Sequence, residues 1–211
     1  MAANAVLDVG GWWRPLRCAT HVIDIMPYAS RHADDALDPE NEERFSAATW
    51  TVHDVCSAPW PFGDKQFDFV FCSHLLEDVR DPIAVCGELV RVGKSGYIET
   101  PSRAREIFSK ARFFGLKSAF GSVPEIGFRH HRWFVELENN RFTFTAKDQH
   151  LLGDRSHFIT RSDLGRKMTE EESGIALWFD GEFSFGEAIS HDHDEPLKKF
   201  RSEALARLKG K

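Results

Sequence analysis

Two acidic residues and a pair of glycines lie where apolar runs end near the start of the chain. Asp8 and Val9 are followed by Gly10 and Gly11, and Asp24 lies near the end of the next apolar run. Glycines at such a turn let the backbone approach a ligand closely, and a carboxylate after the second strand can accept hydrogen bonds from a ribose diol. The pattern favours a nucleotide site, although a tight turn alone would also use a glycine pair.

Side chains that could take up a proton lie at three other places. His74 follows an apolar run, Glu99 ends another, and His130 and His131 precede an aromatic one. A hydroxyl acceptor generally needs such a base, whereas a neutral amine or a thiolate needs only alignment. We select His74, Glu99 and His131 as candidate catalytic residues. A structural hydrogen bond is the alternative for His74, and solvent exposure is the alternative for His130.

Two other polar groups have competing interpretations. Arg129 and Arg132 could hold an anionic or sugar-like acceptor, but salt bridges to Glu125 or Glu136 are the preferred interpretation. The run HDHD at 191–194 has the composition of a metal site. Alternating positions on a polar loop are more typical of solvated side chains, so no metal is expected.

These residues are embedded in short apolar runs that alternate with turn signals. The predicted strands lie at 6–9, 21–25, 49–53, 67–72 and 96–100. A helix is predicted to begin at Pro82 and to end at Gly93, since Asp81 can cap it and proline suits its first position. The alternation predicts an α/β fold: a Rossmann-like, doubly wound and mostly parallel sheet with a C-terminal antiparallel strand.

The second half of the chain is predicted to add β-hairpins as a cap. One hairpin joins 133–137 to 141–145, and a second joins 176–179 to 182–185 through Asp180 and Gly181.

The other segments complete a single predicted domain. The basic, Phe-rich segment 103–131 would cover the carboxyl ends of the strands, and a charged helix is expected from Glu195 onwards. We expect one domain over 1–211, with a cofactor-binding half at 1–102 and a cap at 103–211.

The most specific pattern runs from Asp54 to Val79, DVCSAPWPFGDKQFDFVFCSHLLEDV. This stretch strongly resembles class I S-adenosylmethionine-dependent methyltransferases, specifically the type 11-like branch. The segments 91–101 and 131–133 extend the resemblance, which covers Val6 to Thr145.

The resemblance implies roles at the first two strands. Asp8, Gly10 and Gly11 match the turn that contacts the methionine part of S-adenosylmethionine, and Asp24 matches the acid that binds the ribose. Trp12 stands where a third glycine is usual, so its ring either points away from the cofactor or stacks over it. The connection from Asp8 to Asp24 is too short for the usual helix, which should be short or absent.

The resemblance also implies roles at the next two strands. Asp54 and Val55 match the loop where a carboxylate takes the adenine amino group and a backbone amide meets the ring. Ser73 and His74 match the end of the fourth strand, close to the sulfonium and its methyl group.

These features predict methyl transfer from S-adenosylmethionine to an oxygen or nitrogen of a small-molecule acceptor, including sugar-containing metabolites. The alternative is a non-catalytic, methyltransferase-like binding module, which Trp12 motivates. Asp24 and Asp54 weigh against that alternative, because burying a carboxylate without a ligand is costly. A nicotinamide-dependent oxidoreductase would share Asp24, but the G-x-G-x-x-G spacing is absent.

Composition and net charge restrict the classes of molecule that the protein could bind. The 211 residues are 42% hydrophobic and carry a formal net charge of -6, which excludes the bulk positive charge typical of nucleic-acid binding. No apolar run approaches the ~20 residues of a membrane span, and the N-terminal residues lack a signal-peptide pattern, so a cytoplasmic protein is expected. Hairpin edges and exposed aromatic residues are compatible with a homodimer.

Overall fold

The strands and helices follow the predicted alternation in the first half of the chain. The structure is a computed structural model that describes residues 5–31, 37–109, 126–148, 154–189 and 194–210. The strands are β1 (Val6–Val9), β2 (His21–Asp24), β3 (Trp50–Val52), β4 (Phe67–Ser73), β5 (Gly93–Pro101), β6 (Trp133–Glu138), β7 (Arg141–Ala146), β8 (Gly174–Asp180) and β9 (Ser184–Glu187). The helices are α1 (Pro82–Val92), α2 (Arg103–Glu106), α3 (Arg161–Leu164), α4 (Glu170–Ser173) and α5 (Asp194–Lys209), with 3-10 turns at Tyr28–Ser30 and Arg155–His157.

Six strands form one mostly parallel sheet in the order β3-β2-β1-β4-β5-β8. The pairs β1–β2, β1–β4, β2–β3 and β4–β5 are all parallel. At the far edge, Gly181 N–H donates to Lys94 O at 2.7 Å and Ser102 N–H donates to Ser173 O at 2.8 Å. The end of β8 therefore lies beside the start of β5, so β8 is antiparallel. The predicted Rossmann-like α/β sheet is confirmed.

The second predicted hairpin is wrong, although both of its strands exist. β8 belongs to the six-stranded sheet, whereas β9 pairs with β7 in a three-stranded sheet of order β6-β7-β9. Gly181 makes the expected turn at φ 77°, but its N–H bonds to Lys94 of β5. The backbone hydrogen bonds of β5 thus outcompete the local turn signal.

The first predicted hairpin is confirmed. β6 and β7 are neighbours, and Asn139 and Asn140 adopt φ values of 48° and 62° in the turn between them. Asparagine tolerates this left-handed conformation better than most residues.

Helix α1 forms for the predicted reasons. The Asp81 carboxylate accepts a hydrogen bond from Ala84 N–H at 2.9 Å, and Pro82 occupies the first helical position. Val85 and Leu89 are fully buried on one helix face, which contacts β4.

The connection between β1 and β2 contains no helix, as predicted. A small core of Ala19, Val22, Phe45 and Trp50 lies beside it, and Trp12 packs against that core. Compact packing of an irregular loop thus replaces a helix at this position.

The chain divides into two compact units. The first unit comprises residues 1–100, 139–141 and 176–185, and the second comprises 101–138, 142–175 and 186–211. The second unit has its own core, which includes Ile107, Phe158 and Ile159. The expectation of one domain split at residue 102 stays a prediction.

Among the helices described above, none has the length and apolar character needed to cross a lipid bilayer.

Candidate functional site

The loops that follow β1, β2 and β4 lie side by side in the first unit. These three strands are parallel neighbours, with Asp8 opposite both Val22 and Phe71. The carboxyl ends of parallel strands meet at the same edge of the sheet, which is where open α/β sheets bind ligands. The parallel registers therefore bring the predicted glycine turn, Asp24 and Ser73 to one edge.

The glycine turn needs its glycines. Gly10 has a φ of 82°, and a Cβ there would lie 2.9 Å from Leu75 Cδ1. A Cβ on Gly11 would lie 2.3 Å from Asp8 Oδ2. Any side chain at these two positions would therefore clash or strain the backbone, so the turn stays narrow only with glycine.

The buried Asp8 side chain stabilises the loop that contains this turn. Its Oδ2 accepts a hydrogen bond from Leu16 N–H at 2.8 Å, and only 2% of the residue is exposed. Burial raises the pKa of Asp8 to about 7, because removal from water disfavours the charged carboxylate. Asp8 thus shapes the loop by bonding to its backbone.

Asp24 connects the two loops. Its Oδ2 accepts a hydrogen bond from Trp12 N–H at 3.1 Å, and its Oδ1 accepts one from Met26 N–H at 2.7 Å. Burial raises the pKa of this carboxyl group too. A carboxylate has about four acceptor positions, so Asp24 retains acceptor capacity beyond its bonds to the backbone of Trp12, Ile25 and Met26.

The Trp12 ring packs against the small core beside the loop. Its Nε1–H donates to Ser30 O at 2.8 Å, and the ring contacts the cluster of Ala19, Val22, Phe45 and Trp50. The orientation of this ring relative to a bound cofactor stays a prediction.

Trp13 is 55% exposed and meets Trp12 edge to face. Of these two rings, Trp12 is therefore the one that packs against the core.

Asp54 follows β3 and is less buried than expected. Its side chain is 34% exposed, and Arg80 Nη1 lies 2.5 Å from its Oδ2. This pairing, together with the Cys56 N–H bond to Oδ1 at 2.9 Å, lowers the pKa of Asp54. The neighbouring Val55 is buried and accepts a hydrogen bond from Trp60 Nε1–H at 2.8 Å.

The ends of β4 and β5 bring three predicted residues together. Ser73 Oγ–H donates to Glu99 Oε2 at 3.3 Å, and His74 N–H donates to the Glu99 carbonyl at 2.9 Å. His74 itself adopts a φ of 53°, a left-handed value that is uncommon for a residue other than glycine. Glu99 and His74 are therefore neighbours, as acceptor-side residues should be.

His131 belongs to the second unit and is tied into a buried network there. Its Nδ1 lies 2.6 Å from Glu106 Oε1, and the other Glu106 oxygen pairs with Lys147. The pKa of Glu106 is lowered because bonds to His131 and Lys147 outweigh the effect of burial. This network gives His131 a structural partner, and its catalytic role stays a prediction.

The remaining polar candidates are placed as follows. Glu136 pairs with Arg103, and Glu125 lies outside the described residues. The candidate metal run also lies outside them, apart from the backbone of Asp194.

Sequence reasoning missed two side chains in the first unit. Arg80 covers Asp54, and Glu77 lies 3.3 Å from His74 Nδ1. Glu77 is part of the quoted Ser-His-Leu-Leu-Glu pattern, so its position in that pattern could have drawn attention to it. No sequence signal links Arg80 to Asp54, because the two are far apart in the chain.

The residues present fit an adenosyl cofactor. The glycine turn is narrow, Asp24 retains acceptor capacity, and a second carboxylate, Asp54, follows β3. The atoms nearest to a Cβ on Gly10 belong to the flexible end of the Leu75 side chain.

Comparisons with known proteins agree with this geometry. Residues 9–98 match the Methyltransf_11 family, described as a methyltransferase domain. No curated protein matches the chain significantly.

Three solved structures are weakly similar. A candidate methyltransferase from Bacillus halodurans C-125 is 16% identical over 47% of this chain and 45% of its own, with a TM-score of 0.35. The [4+2]-cyclase SpnF is 19% identical over 47% of this chain and 40% of its own, with a TM-score of 0.33. A complex of the Haloferax volcanii methyltransferase activator Trm112 with a candidate methyltransferase gives 13% identity over 65% of each chain and a TM-score of 0.34. This chain thus covers less than two thirds of each of the three.

The family match falls on the segment that contains the glycine turn, Asp24, Asp54 and the Ser73–His74 turn. Over residues 9–98, the chain is therefore similar to a methyltransferase domain.

Proposed function

We propose that this chain is an S-adenosylmethionine-dependent methyltransferase that acts on an oxygen or nitrogen of a small-molecule acceptor. The observation that carries the proposal is the joint placement of the Gly10 turn and the Asp24 carboxylate, which Trp12 N–H links at the carboxyl edge of the sheet. The family match over residues 9–98 supports the same cofactor class.

The chain would hold the cofactor with groups already in place. Asp24 would accept hydrogen bonds from the ribose, Asp54 from the adenine amino group, and the backbone of Gly10 and Gly11 would contact the methionine part. When bound, S-adenosylmethionine supplies a methyl group already activated by its sulfonium sulfur. The protein then contributes chiefly alignment of the acceptor with that methyl group.

The acceptor assignment rests on charge and on the polar groups beside the site. The net charge of -6 disfavours a nucleic-acid acceptor, and His74, Ser73 and Glu99 offer hydrogen-bonding groups for a hydroxylated molecule. Sugar-containing metabolites present such hydroxyls and are the first acceptors to screen.

Calorimetric titration with S-adenosylmethionine and with its demethylated product tests the proposal. We expect micromolar binding of both, followed in an acceptor screen by a product heavier by one methyl group. Binding of neither ligand by well-folded protein would overturn the proposal.

One observation favours a second candidate, a non-catalytic binding module. The Arg80 guanidinium already pairs with the carboxylate that adenine would need. This candidate predicts that the folded protein binds neither ligand, whereas the methyltransferase requires Arg80 to share or release Asp54.

A further inference from the structure

Glu77 is a buried carboxylate next to the predicted reaction centre. It is 1% exposed, and the preceding Leu76 is fully buried. The turn that carries it is closed by hydrogen bonds from Asp78 N–H and Val79 N–H to Leu75 O at 3.0 and 3.2 Å. Leu75 also packs over Gly10 in the glycine turn. Glu77 is thus held firmly beside the cofactor loop.

The two oxygens of Glu77 have different surroundings. Oε1 lies 3.3 Å from His74 Nδ1, whereas Oε2 is buried with no hydrogen-bond partner in the described part of the chain. Burying a carboxylate is expensive unless it is paired. Nδ1 of the His74 ring is the hydrogen-bonding group that the structure places beside Glu77.

His74 is held so that one ring nitrogen faces Glu77 while much of the ring is open. The backbone adopts a φ of 53° and is fixed by the bond from His74 N–H to Glu99 O. A left-handed conformation at a residue other than glycine costs about 1–2 kcal/mol, and such strain concentrates at functional sites. The side chain is 57% exposed, so Nδ1 can face the buried carboxylate while the ring still reaches solvent.

We propose that Glu77 is a positioning residue for His74: it accepts the Nδ1–H hydrogen bond, so that neutral His74 keeps its lone pair on Nε2 for the proton of the methyl acceptor. This inference rests on the proposed methyltransferase function. A carboxylate behind a histidine fixes the tautomer in this way in other acid–base sites.

The resulting step is balanced. The acceptor oxygen or nitrogen forms a bond to the methyl carbon as the carbon–sulfur bond breaks, and that electron pair stays on sulfur. The acceptor proton passes to His74 Nε2 and later to water. Glu77 remains a carboxylate throughout and stabilises the charged ring.

The charges around His74 suit this role. Glu77, Glu99 and Asp78 each raise the pKa of His74, and the hydrogen bond to Glu77 contributes most, while burial opposes them. A raised pKa makes the histidine ring a stronger base.

Nitrogen-15 NMR of histidine-labelled protein tests the inference without an acceptor, with His74→Gln used to assign the signal. In the wild type we expect the Nδ1–H tautomer of neutral His74. In Glu77→Gln, which keeps an acceptor oxygen but removes the charge, we expect the pKa of His74 to fall by about one unit. Glu182→Gln removes an exposed charge from the same unit and should leave the pKa unchanged.

Two results would overturn the inference: an Nε2–H tautomer in the wild type, or an unchanged His74 pKa in folded Glu77→Gln. If Glu77→Gln does not fold, the wild-type tautomer alone decides. Titration of the wild type with S-adenosylmethionine separates this inference from the function. Absence of binding refutes the methyltransferase, whereas binding together with the wrong tautomer refutes only the role of Glu77.

Discussion

At the scale of single residues, the acids of the site bind their own backbone first. Asp8 accepts a hydrogen bond from Leu16 N–H, and Asp24 accepts bonds from Trp12 and Met26 N–H groups. Since these bonds hold the loops in shape before any cofactor arrives, a substitution of either acid removes a loop contact along with a ligand contact. Tests of these residues therefore need a control that loses backbone bonds alone.

Asp24→Ala should weaken S-adenosylmethionine binding by about 10²-fold or more, since each hydrogen bond to a charged group contributes about 1.5–3 kcal/mol. Asp38→Ala is the matched control, because Asp38 also accepts backbone hydrogen bonds, from Arg17 and Cys18 N–H at 2.5 and 3.0 Å. Calorimetry on both variants measures the difference. Equal losses of affinity would show that Asp24 acts only through the loop.

Asp8→Asn should change how stability depends on pH. Burial raises the pKa of Asp8 from its ordinary value of 3.8 to about 7 in the folded chain, so the folded state binds more protons than the unfolded state between those values. The free energy of unfolding therefore decreases as pH rises through that window, and asparagine removes this decrease. Urea unfolding at several pH values should show the variant gaining stability relative to wild type up to about pH 7. If the unfolding free energies of the wild type and the variant change in parallel with pH, the raised pKa of Asp8 is contradicted.

At the scale of elements, the Trp12 side chain packs against the core at the connection from β1 to β2, where a helix is absent. Trp12→Ala should lower the free energy of unfolding by about 2–3 kcal/mol, because the ring packs on the core between β1 and β2. Trp13→Ala, which removes a ring that is 55% exposed, should cost less than about 1 kcal/mol. Urea denaturation of the two variants checks this, and a larger loss for Trp13 would contradict the packing described.

The buried network of the second unit joins α2, the residues before β6 and the residue after β7. Glu106→Gln should lower the free energy of unfolding by about 3–5 kcal/mol, since it leaves the buried Lys147 charge without its carboxylate. Adding Lys147→Met to that variant removes the unpaired charge and should recover part of the loss. Urea denaturation of both variants measures the recovery, and a fully additive double variant would argue against a direct pairing.

The sequence predicted the positions of strands and helices better than it predicted which strands and side chains pair. Strand β1 was predicted with its observed bounds, and α1 begins at Pro82 as expected, because local periodicity and capping determine such features. The pairing of β8 with β5 could not be read from the chain, since it depends on backbone bonds between distant segments. The same holds for the pairing of Asp54, a predicted site residue, with Arg80, which is distant in the chain.

At the scale of the whole molecule, the two units share strands. The chain passes from one unit to the other at residues 100/101, 138/139, 141/142, 175/176 and 185/186. Four of these crossings fall inside strands, namely β5, β7, β8 and β9. Because a strand is held by continuous hydrogen bonding, no single cut of the chain separates the units.

A fragment of residues 1–102 should therefore fail to fold cooperatively, although it contains the whole predicted cofactor half. It lacks β8, whose Phe179 lies against Gly96 of β5 and whose backbone pairs with that strand. The full chain should unfold in one transition. Far-ultraviolet circular dichroism should therefore give the same urea midpoint as Trp133 fluorescence, which reports on the second unit. The Trp133 signal is obtained as the difference between the wild type and Trp133→Phe. Saturating S-adenosylmethionine should raise that shared midpoint, since a ligand that binds only the folded state stabilises it by mass action. A fragment with its own sharp transition, or a full chain whose two probes differ in midpoint, would show that the units fold separately despite the strands they share.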